Sequence, residues 1–187
     1  MYSFSADLAF DPQAAFCLLG RHVIMQKEAE MAVDMFMNIE GIPGESKDKI
    51  YKDAIVVQAW NWGVSNSAPV TSGSRGAGKP VIQVLTFTKP VDKATPMLYL
   101  NTLQGRRIKT CILTCRNEGA KDKFLEIKMS DCNLDSVLTG CKVGEDKVTE
   151  TVGIQFTKVE IEYTAMDASG KPLTVKSTWD INRNAPV

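Results

Sequence analysis

The chain has 187 residues, of which 44% are apolar and 24% charged, a composition typical of a folded protein about the size of one domain. Twenty-two basic residues balance twenty-two acidic ones, so no net charge attracts nucleic acid or an anionic membrane surface. No run reaches the roughly 18 to 20 apolar residues of a membrane span, and the first residues lack the basic region of a secretory leader. We therefore expect a soluble protein made in the cytoplasm, without nucleic-acid binding or membrane insertion.

Residues 1–30 differ in character from the rest of the chain. They contain a helix-compatible apolar patch, Phe10–Gly20, with Pro12 at a possible first-turn position. Two basic residues stand against four acidic ones, which gives 2 − 4 = −2 and leaves +2 for the remainder. We interpret residues 1–30 as an N-terminal extension and residues 31–187 as the main domain. A misplaced start codon, a cloning remnant and a genuine leader all remain open, and translation from Met31 is favoured.

From residue 31 onward, the alternation of apolar and polar residues predicts strands. The segments concerned are 33–39, 55–64, 81–88, 108–115, 125–129 and 173–181. Segments 81–88 and 108–115 are apolar on both faces, which is typical of strands buried on both sides. In segment 55–64, Trp60 and Trp62 share one face and Asn61 lies on the other.

Residues 148–164 show a change in the phase of this alternation. Apolar residues occupy even positions from 152 to 156 and odd positions from 159 to 163. A shift of one residue predicts a bulge or a sharp bend, where a long strand turns from one sheet or barrel wall onto another.

One helix is predicted within residues 92–105. Asp92 or Thr95 can cap its start, Gly105 can end it, and a stripe of apolar residues follows the helical period. That stripe contains Ala94, Met97, Leu100 and Leu103. A single short helix beside many strands predicts a mainly-β fold: two packed antiparallel sheets that form a β-barrel with the helix alongside.

A glycine-rich run satisfies seven positions of a phosphate-binding P-loop. It reads Gly73, Ser74, Arg75, Gly76, Ala77, Gly78 and Lys79. The eighth residue is Pro80, where Ser or Thr should bind magnesium, and a strand follows instead of the helix that holds the phosphates. We therefore favour a long connecting or partner-docking loop over nucleotide binding.

The sequence contains no catalytic constellation that we can identify. His22 is the single histidine of the chain, so residues 31–187 cannot supply a Ser/His or Cys/His pair. Glu160 and Glu162 alternate with Lys158 on the polar side of a predicted strand, which favours a solvated or intersubunit face over a pair of catalytic acids. Cys111 and Cys115 would lie roughly 13 Å apart on a strand, so we expect buried thiols and neither a disulfide nor a metal site. We expect no enzyme activity, cofactor or metal.

Several further motifs, in this order along the chain, resemble the haemolysin-coregulated protein (Hcp) family, which forms the tube of bacterial type VI secretion. The matching segments are 31–37, 44–49, 59–63, 76–79, 85–89, 92–96, 144–146, 149–150 and 179–181. Because they span essentially all of residues 31–187, we identify this part of the chain as a member of the family.

The resemblance implies a structural protein. In the family, six copies form a homohexameric ring, rings stack head to tail into a tube inside a contractile sheath, and the channel carries small secreted effectors. The partners implied are further copies, the sheath, spike and baseplate proteins and those effectors, with export that uses no cleaved signal peptide. The resemblance places Asn61, where the family commonly has serine, on the channel wall, and gives Gly73–Lys79 to the loop that reaches neighbouring subunits. The alternative is a small-ligand-binding β-barrel or a P-loop-like nucleotide hydrolase, suggested only by the run Gly73–Lys79.

Overall fold

The computed structural model describes residues 32–66, 80–118, 121–141, 143–144, 147–166 and 170–187. The strands are β1 (Val33–Ile39), β2 (Ile55–Val57), β3 (Ala59–Asn61), β4 (Val64–Asn66), β5 (Pro80–Ile82), β6 (Leu85–Pro90), β7 (Arg107–Asn117), β8 (Lys123–Gly140), β9 (Thr149–Gln155), β10 (Lys158–Met166), β11 (Pro172–Asp180) and β12 (Ala185–Pro186). The helix α1 is Thr95–Gln104. The predicted extension, residues 1–30, lies outside the described residues, so its boundary stays a prediction.

The long strand β8 organises the sheet. β7 runs antiparallel along one edge of β8, while β10 and β9 share its other edge, β10 along the first half and β9 along the second. One arm of the sheet continues β8–β7–β1–β2, and another continues β8–β9–β6–β3. The turn from β9 into β10 at residues 156–157 accounts for the change of phase in the sequence, which confirms the predicted bend.

The mainly-β class is confirmed, but the predicted closure into a barrel is wrong. β2 is hydrogen-bonded to β1, whereas β3 is hydrogen-bonded to β6. The change of partner falls at Gln58, whose N–H donates to the carbonyl of Thr88 at 2.8 Å. Because residues 55–61 divide into two strands of three residues that serve different arms, the ladders among the described strands do not join into a closed ring.

The hydrophobic core lies between the two arms. Its fully buried members include Met37, Ile55, Leu85, Phe87, Leu113, Met129, Val152 and Ile154. Burial of each such side chain contributes roughly 1.5 to 3 kcal/mol to folding. Cys111 and Cys115 are also buried, as predicted, as is Cys132, and burial raises the pKa of the Cys115 thiol.

The predicted strand 81–88 is interrupted. Segment 81–88 divides at Gln83, whose N–H donates to the carbonyl of Gly63 at 3.0 Å and whose own carbonyl accepts from Trp62 Nε1 at 3.0 Å. These contacts separate β5, which pairs with β4, from β6, which pairs with β3 and β9. Val81 is exposed, so the expectation that 81–88 is buried on both faces is wrong.

The helix ends at Gly105 as predicted, but its N-cap is Ala94, with no side-chain capping bond, and it turns a different face to the sheet. Asp92 Oδ1 accepts from the N–H of Ala94 at 2.9 Å, and Gly105 ends the helix with a left-handed φ of 58°. The buried positions are Leu98 and Asn101. Asn101 tolerates burial because its side-chain amide donates to the carbonyl of Met97 at 2.7 Å. Met97, Leu100 and Leu103 therefore face outward, with exposed fractions of 37%, 45% and 84%.

A bulge fixes the pairing of β8 with β9. The register shifts between Leu134 and Ser136. Opposite the bulge, a Cβ on Gly153 would lie 2.7 Å from Ser136 Oγ, closer than two such atoms approach each other. A side chain at this point of β9 would therefore require Ser136 Oγ to move.

Candidate functional site

Strand β3 displays Asn61 to solvent. Trp60 is half-buried and packs against the core, and Asn61 is exposed on the opposite face of the strand. The ring of Trp62 lies 5.8 Å from that of Phe156, centroid to centroid, and Trp62 is also half-buried. The backbone carbonyl of Asn61 accepts from Thr86 Oγ1 at 3.4 Å, while its amide is open to solvent. Whether this face lines a channel stays a prediction.

The run Gly73–Lys79 lies outside the described residues, so its role as a ring or stacking loop stays a prediction. The strands on either side of residues 67–79 form a two-stranded ribbon in which Val64 pairs with Ile82 and Asn66 with Pro80. Val64 and Val81 are both exposed. The residues that lead into and out of the loop are thus an antiparallel ribbon with apolar side chains open to solvent.

Glu160 and Glu162 lie on the polar face of the β10–β11 hairpin. Lys176 Nζ is 2.8 Å from Glu160 Oε1, and Lys123 Nζ is 3.0 Å from Glu162 Oε1. The hydrogen bond from Lys176 lowers the pKa of Glu160. Each carboxylate is paired with a lysine, an arrangement that suits a solvated face.

A buried ion-pair network joins α1 to the sheet. Lys89 Nζ lies 2.8 Å from Asp92 Oδ1 and is hydrogen-bonded to Glu150 Oε1, to which Thr95 Oγ1 also donates at 2.7 Å. Lys89 and Glu150 are 0% and 1% exposed. The sequence held a signal for both, since Lys89 continues the buried positions 85 and 87, and Glu150 precedes the buried positions 152 and 154. Because charges are rarely fully buried, this pattern alone does not predict a buried ion pair.

A second cluster of charged side chains attaches the loop before β2 to β1 and β7. Arg116 Nη2 lies 3.0 Å from Asp34 Oδ2 and also binds Asp48, while its guanidinium lies 5.1 Å from the centroid of the Phe36 ring. The backbone N–H of Tyr51 and the Arg116 side chain hold the pKa of Asp48 at about 2. No spacing in the sequence indicates these contacts, which join residues 68 and 82 positions apart.

An apolar cleft opens between the β4–β5 ribbon and strands β10 and β11. Its volume is about 440 Å³. The lining residues are Trp62, Val64, Asn66, Pro80, Ile82, Val159, Ile161, Ser177, Trp179 and Asn184. None of them is charged. We refer to this surface as the apolar cleft.

The described part of the chain contains neither a group of metal-binding side chains nor a membrane-spanning helix. There, no three His, Cys, Asp or Glu side chains are grouped closely enough to hold a metal ion. No helix of that part has the length and hydropathy of a membrane span.

Comparison with known proteins gives one consistent result. A family model described as "Type VI secretion system effector, Hcp" matches residues 36–163. Protein hcp1 of Pseudomonas aeruginosa is 40% identical over 159 residues, which cover 82% of this chain and 98% of that protein.

Solved structures with the same fold are also similar in sequence. The structure of a type six secretion system protein aligns with a TM-score of 0.77 at 28% identity, covering 83% of this chain and all of the other. Hcp1 from Salmonella typhimurium aligns with a TM-score of 0.70 at 29% identity, covering 84% of this chain and 100% of its own.

Proposed function

The chain belongs to the Hcp family of type VI secretion tube proteins, and from this premise we propose that it is a structural subunit whose copies form hexameric rings. The rings stack head to tail into a tube, and the channel of the tube carries small effectors. The protein is made in the bacterial cytoplasm and leaves through the type VI apparatus without a cleaved signal peptide. It acts as a carrier and not as an enzyme.

One observation supports assembly above all: apolar side chains remain exposed on an ordered hairpin. Tyr163, Leu173 and Val175 of β10 and β11 are 50%, 59% and 61% exposed. Cross-strand pairing brings Tyr163 and Val175 opposite each other, so these side chains form a continuous patch. Patches of this kind mark surfaces that another chain covers.

The exposed amide of Asn61 supports the carrier role. An amide offers both a hydrogen-bond donor and an acceptor, and water satisfies it when no cargo is present. The half-buried Trp60 and Trp62 on either side pack against the core, which fixes the side of β3 from which the amide projects. A ring would then present six such amides to its cargo. The sheath, spike and baseplate proteins are the partners that the proposal places outside the channel.

Assembly is tested by measuring the mass of the full chain, and of the chain from Met31, by light scattering at tens of micromolar. We expect a hexamer for both, and we expect removal of residues 1–30 to leave the fold intact and to promote ring stacking. A monomer in both samples would overturn the proposal.

The channel assignment is tested with Asn61→Gln. This surface change should alter the free energy of unfolding by less than about 0.5 kcal/mol, yet weaken retention of a co-expressed effector, because the longer side chain crowds the channel wall. Asn182→Gln, at an exposed position near the C-terminus, is the matched control and should retain effector like the wild type. Equal effector retention by Asn61→Gln and Asn182→Gln would contradict the placement of Asn61 on the channel wall.

A further inference from the structure

One face of the sheet is formed by the side chains that point away from the core on four neighbouring strands. β3, β6, β9 and the second half of β8 lie side by side in that order, and successive side chains of each strand point to opposite faces. The strand register aligns the outward residues in two rows. The first row is Asn61, Thr86, Gly153 and Ser136, and the second is Ala59, Thr88, Thr151 and Leu138. We refer to these two rows as the neutral wall.

The neutral wall contains no charged side chain, although 24% of the chain is charged. The same strands do contain charges, but Lys89 of β6 and Glu150 of β9 point to the opposite side and are buried beneath α1. Asp135 lies at the margin of the wall, in the bulge of β8, where Gln155 Nε2 donates to its Oδ1 at 2.5 Å. The polar face of the β10–β11 hairpin, in contrast, has the lysine–glutamate pairs described above. The wall thus differs in chemistry from the other solvated sheet face, and charged residues are depleted in the same way at the centres of protein interfaces.

Hydroxyl groups give the wall its capacity for hydrogen bonding. Thr86 Oγ1 donates to the carbonyl of Asn61 at 3.4 Å, and Thr88 Oγ1 lies 3.4 Å from Thr151 Oγ1. Each hydroxyl has one donor and two acceptor positions, so these bonds leave acceptor positions free for another molecule. Threonine is branched at Cβ and has few rotamers, so ordering it against a partner costs little entropy. Leu138, which is 67% exposed, adds an apolar contact to the same face.

We propose that the neutral wall binds uncharged stretches of a cargo polypeptide, through hydroxyl and amide hydrogen bonds and without ion pairs. The inference rests on the proposed carrier function and names the class of cargo surface that the carrier accepts. The groups that fit the wall are backbone amides, the hydroxyls of serine and threonine and the amides of asparagine and glutamine. A charged stretch would give up water at this wall and find no opposite charge in exchange, so it is rejected. Because no charges attract each other across the contact, its affinity does not depend on salt.

The preference is measured on the full chain by fluorescence anisotropy, with three labelled peptides of equal length. One consists of Asn, Ser, Thr and Leu; the second has Lys and the third has Glu in place of the polar residues. We expect the neutral peptide to bind at least about fivefold more tightly than either charged peptide, because the wall offers no partner for a charge. Its Kd should change by less than about twofold between low and high salt. Tighter binding of a charged peptide at low salt, or no binding of any of the three, would overturn the neutral wall.

Two threonine pairs provide matched variants. Thr88 on the wall and Thr164 on the polar face of the β10–β11 hairpin are both half-buried, and each contacts a threonine of the neighbouring strand, Thr164 Oγ1 lying 3.1 Å from Thr174 Oγ1. Thr88→Lys should weaken binding of the neutral peptide at least about fivefold and give the Glu peptide a salt-dependent affinity. Thr164→Lys should bind all three peptides like the wild type. Equal binding by the two variants would overturn the neutral wall.

A second pair of variants tests the hydroxyl without adding a charge. Thr88→Val keeps the shape of the side chain and removes its hydroxyl, so it should weaken binding of the neutral peptide, whereas Thr164→Val should not. The comparison stands even if Thr88→Lys fails to fold, and equal binding by the two valine variants would contradict the role of the hydroxyl. Light scattering separates this inference from the one on which it rests. A monomeric wild type would overturn the proposed function, whereas a hexamer that fails the peptide tests would overturn the neutral wall alone.

Discussion

Two lysine–glutamate pairs of this protein have the same chemistry and opposite surroundings. Lys89 and Glu150 lie beneath α1 with side-chain exposures of 0% and 0%, whereas Lys176 and Glu160 lie on the β10–β11 hairpin with exposures of 50% and 27%. A buried pair that loses one member leaves an uncompensated charge in the interior. When an exposed pair loses one member, water solvates the remaining charge. Burial, and not the contact itself, decides how much each pair matters to folding.

The two regions also differ in what surrounds each pair. Around Lys89, hydroxyl groups of Thr95 and Thr139 and the carboxylate of Asp92 complete the hydrogen bonding, so the network ties α1 to β6, β8 and β9. Around Lys176, the neighbouring side chains face solvent. The first region behaves as part of the core and the second as a surface.

The largest effect is expected for Glu150→Gln. This change removes one of the two negative charges beside the buried ammonium of Lys89, the other being Asp92, so the loss should approach the low end of the range of about 3 to 5 kcal/mol that breaking a buried pair costs. Urea unfolding followed by tryptophan fluorescence measures the loss.

The double variant Lys89→Met, Glu150→Leu is the control for this effect. It removes both charges and keeps their volume apolar, so it should be more stable than Glu150→Gln alone. A double variant less stable than the single one would show that the network contributes more than charge compensation.

An intermediate effect, dependent on pH, is expected at Asp48. Its pKa of about 2 in the folded protein is lower than in the unfolded chain, so its contribution to stability is present above about pH 4 and declines as the pH falls toward 2. The difference in unfolding free energy between the wild type and Asp48→Asn should therefore shrink over that interval. Asp122→Asn, at an exposed site, should differ little from the wild type throughout. A gap between wild type and Asp48→Asn that stays constant from pH 5 to pH 2 would contradict the contact with Arg116.

The smallest effect is expected for Lys176→Ala. Loss of this lysine frees Glu160 on a solvated face, where exposed pairs contribute little. The midpoint of thermal unfolding should stay within the error of the measurement at both low and high salt. A loss as large as that of Glu150→Gln would remove the distinction between the two regions.

Alternation along the chain was enough to predict where strands occur and the two faces of β3, which has one side against the core, but not the divisions within 55–64 and 81–88. It failed for α1, where three apolar residues look like a buried stripe. The buried face instead contains Asn101, whose amide is satisfied by its own helix through Met97. Alternation also did not predict the change of strand partner at Gln58, because the partner of a short strand depends on residues distant in the chain. The apolar cleft has no sequence signature, because its lining comes from five separate segments between residues 62 and 184.

Gly153 has a consequence for how the chain finds its structure. β8 has 18 residues, and a strand of that length offers β9 many alternative alignments during folding. Beside the bulge, a side chain at the position of Gly153 would have to displace Ser136 Oγ. A β9 displaced by one or two residues would bring Thr151, Val152, Ile154 or Gln155 to that point, and each carries a Cβ. The bulge and the glycine together thus favour the observed alignment of β9 over one displaced by one or two residues.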